Sequence, residues 1–206
     1  MKNLFFTMIT LMSTVIMSGQ ETEKKHSYGF LANAKLGFAK LKQSGFVTIN
    51  GNVNSGDFHF FYSLPSGTYF SGGIGLLEFS ANGVSGGESY ALEHSYLRIP
   101  LYINRSVSIF KEQANNKINA YAGIGIYGNT LLKEEIQTLT TTFEEKNRGW
   151  NFGLGFNIGL TFEVNDYMTL GLGFDTQSDL TKMKKDDVER KLEAINTVNF
   201  IYKLNF

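Results

Sequence analysis

From Trp150 to Glu163 the side chains alternate without a break. Trp150, Phe152, Leu154, Phe156, Ile158, Leu160 and Phe162 fall on one parity, and Asn151, Gly153, Gly155, Asn157, Gly159, Thr161 and Glu163 on the other. A period of two is the signature of a β-strand with two unlike faces. At ~3.3 Å per residue such a strand outruns the usual length of about 5 to 6 residues and, tilted, is long enough to cross a bilayer. The polar parity decides which face meets lipid. A soluble barrel needs Lys and Glu on its outside, whereas Gly, Asn and Thr suit the crowded interior of a narrow transmembrane barrel. The large apolar side chains are therefore expected to point into lipid.

The chain of 206 residues fits one domain, and 22 Gly, 10 Tyr and 18 Phe against 2 Pro is the composition of strands and aromatic girdles. With 19 basic and 19 acidic residues there is no electrostatic case for nucleic acid. The absence of cysteine excludes disulfides, thiolate metal sites and a cysteine nucleophile. Lys2, the apolar run Leu4 to Met17, and then Ser18, Gly19 and Gln20 read as a secretory signal peptide over residues 1–19. A periplasmic segment, 20–29, and a barrel, 30–206, are expected to follow.

The alternation recurs often enough to predict eight antiparallel strands: 30–41, 58–64, 69–81, 95–109, 118–127, 149–163, 167–177 and 194–206. In the third, Tyr69, Ser71, Gly73, Gly75, Leu77 and Phe79 are expected to face outward; in the fourth, Leu97, Ile99, Leu101 and Ile103. Residues 46–49 leave open an extended first hairpin or a ten-stranded ring. Connections alternate between short (65–67, 111–117, 164–166) and long (42–57, 82–94, 130–148, 178–193). Barrels of the bacterial outer membrane have short periplasmic turns, long extracellular loops and both termini in the periplasm. Residues 183–193 have enough apolar spacing for a short helix. Val198, Phe200, Tyr202, Leu204 and the terminal Phe206 form the kind of last strand read by the barrel-assembly machinery. The expected fold is thus all-β, an eight-stranded transmembrane barrel in the outer membrane.

Tyr96-Leu97-Arg98-Ile99-Pro100-Leu101, Leu77-Glu78-Phe79-Ser80 and Ala120-Tyr121-Ala122-Gly123-Ile124-Gly125 resemble strands of the PorT-like outer-membrane β-barrel family of Bacteroidota. The chain departs from that pattern in having Arg98 where an acidic residue is common, and in lacking a glycine-rich motif in its second strand. The resemblance implies an outer-membrane barrel, and most members of that family have no assigned role. Some members of that family serve gliding-associated protein secretion.

Glu78 and Arg98 are expected to meet as an ion pair in the lumen, since a lone buried charge costs several kcal/mol; Lys35 and Asp175 are candidates to extend that network, and Pro100 to mark an inward bend. Trp150 is expected at the outer membrane border, and Tyr167, Tyr202 and Phe206 at the periplasmic one. No catalytic, cofactor or metal site emerges. His26, His59 and His94 do not assemble a triad, His94 reads as a solvated rim residue, and the Gly-x-Gly pairs lack the third glycine of a dinucleotide loop. Partners would be membrane lipid, the assembly machinery, and envelope or secretion proteins. The expected role is structural or interactive through the extracellular loops, with a small channel or a secretion accessory as alternatives.

Overall fold

A computed structural model describes residues 26–45, 47–85, 87–109, 117–145, 149–185 and 188–206. The expected signal peptide lies outside these residues. The strands are β1 (Ser27–Gln43), β2 (Ile49–Ser63), β3 (Thr68–Ser85), β4 (Glu88–Ser108), β5 (Ile118–Thr138), β6 (Thr142–Glu145), β7 (Trp150–Glu163), β8 (Met168–Asp179), β9 (Met183–Lys185) and β10 (Val188–Asn205). Antiparallel pairing runs β1-β2-β3-β4-β5-β7-β8-β10, and β10 pairs back onto β1 from Gly29↔Asn205 to Gln43↔Arg190. The sheet therefore closes as an eight-stranded ring, with β6 and β9 as short flaps on β5 and β10.

Closure leaves two faces, and the pleat sorts side chains between them. Phe30, Leu36 and Phe38 on β1, Phe58 and Phe60 on β2, Ile99 to Ile103 at alternate positions on β4, and the even residues Phe152 to Phe162 on β7 are turned outward. From Phe152 to Phe162, at ~3.3 Å per residue and a tilt of ~40°, the belt rises roughly 25 Å, the height of a membrane's hydrocarbon core in such barrels. A belt of this kind in water would be an aggregation surface; around a closed ring it is a lipid contact.

The expected long loops are largely strand. Residues 49–57 belong to β2, 82–85 and 88–94 to β3 and β4, and 130–138 to β5, while β9 and the start of β10 form a hairpin where a helix was expected. Ile49 opens β2 opposite Leu41, so the first hairpin is extended and the ring has no ninth or tenth member. These segments are polar on the outer face because they rise above the belt, and polarity alone reads as loop. They build a crown at the end of the barrel opposite the chain's described ends. Gly87, between β3 and β4, is at φ +87°, a backbone conformation that favours glycine.

Two irregularities mark the base of the crown. Register shifts occur on β1–β10 between Phe38 and Lys40, and on β4–β5 between Ser95 and Tyr96. The first accommodates Ala194 at φ +49°, with the Asn196 side-chain amide donating to the Ala194 carbonyl at 2.8 Å. Such bulges bend a strand and sharpen its twist. Pro100 faces inward as expected, and the β3–β4 ladder is interrupted opposite it, between Gly72↔Leu101 and Gly75↔Arg98. Proline has no N–H to give.

The third strand overturns its expected orientation. Tyr69, Ser71, Leu77 and Phe79 face the interior, and Ile74, Leu76 and Glu78 face outward. The interior is itself apolar at both ends. Leu31, Phe61, Tyr69, Tyr121 and Ile201 fill the lower end, and a larger cluster including Leu41, Leu77, Phe79, Leu92, Leu131, Leu192 and Ile195 fills the crown. Large apolar residues thus have two burial options here, lipid and core.

Candidate functional site

Between those apolar layers lies a polar one, built from residues whose alternation forces them inward. Lys35 on β1 sits between two carboxylates, with Nζ 2.8 Å from Asp57 on β2 and 2.7 Å from Asp175 on β8. All three are buried. The expected Lys35 and Asp175 do come together; Asp57 was hidden in a stretch that reads as loop. The amide of Gln177 donates to Asp175 at 3.4 Å and its oxygen accepts from Arg98 Nη2 at 2.5 Å, so the network continues across the lumen. Arg98 Nε donates to Asn129 at 3.0 Å, and its guanidinium lies 4.5 Å from the centre of the Tyr127 ring. Asp179 closes the chain of contacts. It accepts from Tyr127 Oη at 3.0 Å, Asn151 at 2.5 Å and the Leu192 backbone N–H at 2.6 Å, which ties the polar layer to the foot of the crown.

The expected Glu78–Arg98 pair does not form. Arg98 is inside and Glu78 is exposed on the outer surface, where it stands opposite Ser95 while Arg98 stands opposite Gly75. The cause is the orientation of β3: Leu77 and Phe79 take the interior, and their neighbour must take the outside. Arg98 finds neutral acceptors and an aromatic face instead, with Asp57, Asp175 and Asp179 as the inward carboxylates of this layer.

The glycines explain how so much fits. A Cβ on Gly153 would come within 2.2 Å of the Tyr127 ring, one on Gly173 within 2.0 Å of Tyr121 Oη, and one on Gly155 within 2.3 Å of Tyr102 Oη. Each tyrosine packs over glycines of the same wall: Tyr127 over its direct partner Gly153, Tyr102 along the row of Gly125 and Gly155, and Tyr121 along the row of Gly159 and Gly173. The space left beside Lys35, His59 and Tyr102 is a cavity of about 20 Å³, room for about one water molecule.

Higher up, His94 corrects another expectation. It is buried in the crown and not solvated at the rim. Its Nδ1 is 2.8 Å from Tyr96 Oη and its Nε2 is 3.7 Å from Glu134, which also pairs with Arg190 of β10. Burial alone pushes the Glu134 carboxyl up, but the His94 imidazole and the Arg190 guanidinium bring it down to about 2. His59 is buried in the lumen, and His26 stacks on Tyr62 at the opposite end. The three histidines are thus dispersed, and among the described residues no group of three His, Asp or Glu side chains is arranged to hold a metal.

Trp150, Tyr167, Tyr202 and Phe206 all project from the outer surface. Phe206 packs against Tyr28 and Phe30 at ring distances of 6.4 and 6.1 Å, adding Tyr28 to the aromatic edge near the chain's end. Tyr28 escaped the sequence reading because it precedes the first expected strand.

No protein-family model matches the chain, and no curated protein matches its sequence. Several solved structures align with it. Neisserial surface protein A is 13% identical, with a TM-score of 0.49 over 88% of this chain and 98% of that one. Ail, the attachment invasion locus protein of Yersinia pestis, is 11% identical, with a TM-score of 0.42 over 87% and 99%. The outer membrane protein OprG from Pseudomonas aeruginosa is 11% identical, with a TM-score of 0.35 over 88% and 94%. The closed ring, apolar belt and filled lumen of this chain define its class in their own right: a transmembrane β-barrel of eight strands.

Proposed function

We propose that the chain is an outer-membrane barrel of the PorT-like type that has no enzymatic activity and serves as a mount for its crown. The observation that carries this reading is the combination of an apolar lipid-facing belt with an interior filled by two apolar clusters and a buried polar layer between them. A barrel built to conduct keeps a wet lumen; a barrel built to anchor fills it. The crown then faces the cell exterior, and the chain termini and the short turns at 64–67 and 164–167 face the periplasm. Its partners are membrane lipid around the belt, the assembly machinery at the strand ending in Phe206, and envelope or secretion proteins at the crown.

Fractionation and single-cysteine labelling test this directly, because the natural chain has no cysteine. A cysteine at Leu139 in the crown should react with an impermeant maleimide on intact cells, and one at Asn165 only after the outer membrane is opened. The protein in the soluble fraction, or the reverse labelling order, defeats the proposal.

A further inference from the structure

The crown is not closed like the barrel below it. The β2–β3 ladder ends where Asn52 meets Ser80, yet both strands continue upward. β2 runs on to Ile49 paired only to β1, and β3 runs on to Ser85 paired only to β4, with unbroken register from Ala81↔Leu92 to Ser85↔Glu88. Among the described residues the two strands thus part above the belt, and each turns a bare main-chain edge toward the gap. The gap is a cleft of about 520 Å³, within the size range of ligand sites at roughly 300–1,000 Å³. Ala39, Gly51 and Leu92 lie along its lining, with the polar side chains of Asn50, Asn82 and Glu93 around them.

Free strand edges are hazards that proteins guard with charge, proline, bulges or short length. The crown's flaps follow that rule. β6 is four residues long and includes Glu144 and Glu145, and β9 is three residues long and includes Lys184 and Lys185. The bare stretch of β2 is short as well. The upper part of β3 breaks the rule: Ala81-Asn82-Gly83-Val84-Ser85 holds no charge, no proline and no register shift, and Val84 is 71% exposed. An unguarded edge beside a cleft is what strand addition needs. Main-chain N–H and C=O groups supply the affinity, and the flanking side chains select the guest.

We propose that the free edge of β3 from Ala81 to Ser85, together with the cleft beside it, is a docking site for an extended polypeptide segment of a partner protein, which adds to the crown as a further antiparallel or parallel strand. Ala39 and Leu92 offer apolar contact to the guest's inner side chains, and the amides of Asn50 and Asn82 meet polar ones on the outer. This deepens the reading of the crown as the interaction surface and rests on it.

The test uses the full mature chain, isotope-labelled and folded in detergent micelles, with an alternating Thr-Val octapeptide as probe. Amide hydrogen exchange is followed residue by residue. The peptide should slow exchange at alternate residues of 81–85. The substitution Val84→Lys, on the exposed face, should weaken binding by about tenfold or more, as should N-methylation of alternate peptide amides, which needs no change in the protein. Unchanged exchange at 81–85, or equal binding by the N-methylated peptide, overturns the proposal. Shifts of the Asn50 and Asn82 side-chain amides on adding a chitin tetrasaccharide, with no slowing at 81–85 by the peptide, assign the cleft to sugar and overturn it too. Because the isolated barrel is used, these results are independent of fractionation and labelling, on which the outer-membrane reading stands or falls.

Discussion

Replacing Lys35 by Met isolates the polar layer of the lumen. The substitution keeps the length of the side chain and removes one cation that two carboxylates share, Asp57 at 2.8 Å and Asp175 at 2.7 Å, with no side chain of the three more than 3% exposed. Removing one partner of a buried pair costs about 3–5 kcal/mol, because the charge left behind has neither water nor counterion. Here two carboxylates are stranded, so the expected loss lies at the upper end, about 4–5 kcal/mol. The triple change Lys35→Met, Asp57→Asn, Asp175→Asn removes all three charges and should recover more than half of that loss. Equilibrium urea unfolding in lipid vesicles, read by the fluorescence of the single Trp150, measures both. A Lys35→Met barrel within about 1 kcal/mol of its parent, which is the range of a solvated ion pair, refutes the argument that this triad is dry and coupled.

Three further outcomes follow from the packing. Glu78→Ala should change stability by no more than about 0.5 kcal/mol in the same unfolding assay, as for other surface sites; a loss of several kcal/mol would put Glu78 back in the lumen. Gly153→Val should cost about 1–3 kcal/mol by driving its side chain into the Tyr127 ring, whereas no loss would mean that the ring does not rest on that glycine. The crown should loosen in acid through Glu134. Its folded value of about 2 lies below the ordinary 4.5, so its contribution is complete above that ordinary value and is lost as pH falls through about 2. Hydrogen exchange of the Val188–Leu192 amides should show this dependence in the natural chain and not in Glu134→Gln; identical profiles contradict it.

Where the two faces differ strongly in chemistry, the sequence is legible. β7 has only large apolar residues on one parity and small polar ones on the other, and its orientation follows at once; β1 and the lower part of β4 are read the same way. β3 fails because Leu77 and Phe79 are as apolar as any lipid-facing pair, and only the crown's core distinguishes them. Asp57 fails differently. The stretch Asn52-Val53-Asn54-Ser55-Gly56-Asp57 is polar on both parities, so no hydrophobic period announces a strand, and it is fixed in place by pairing with β1 and β3. His94 looks solvated beside charged neighbours, yet the Phe79 ring lies 6.1 Å away inside the crown. What the sequence lacked was the knowledge that the barrel continues above its membrane. Polar outer faces there mean water outside and core inside, the reverse of the belt.

A closed barrel turns one parity to lipid and packs the other. Single cysteines at 152 to 160, introduced one at a time into the cysteine-free chain and spin-labelled in lipid vesicles, test it residue by residue. A strict period of two is expected. Labels at Phe152, Leu154, Phe156, Ile158 and Leu160 collide freely with oxygen and are shielded from a water-soluble nickel chelate, while labels at 153, 155, 157 and 159 are immobile and poorly reached by either. Access of the chelate to the even positions would mean that the apolar belt does not face lipid, and its access to the odd ones would mean that the lumen is open.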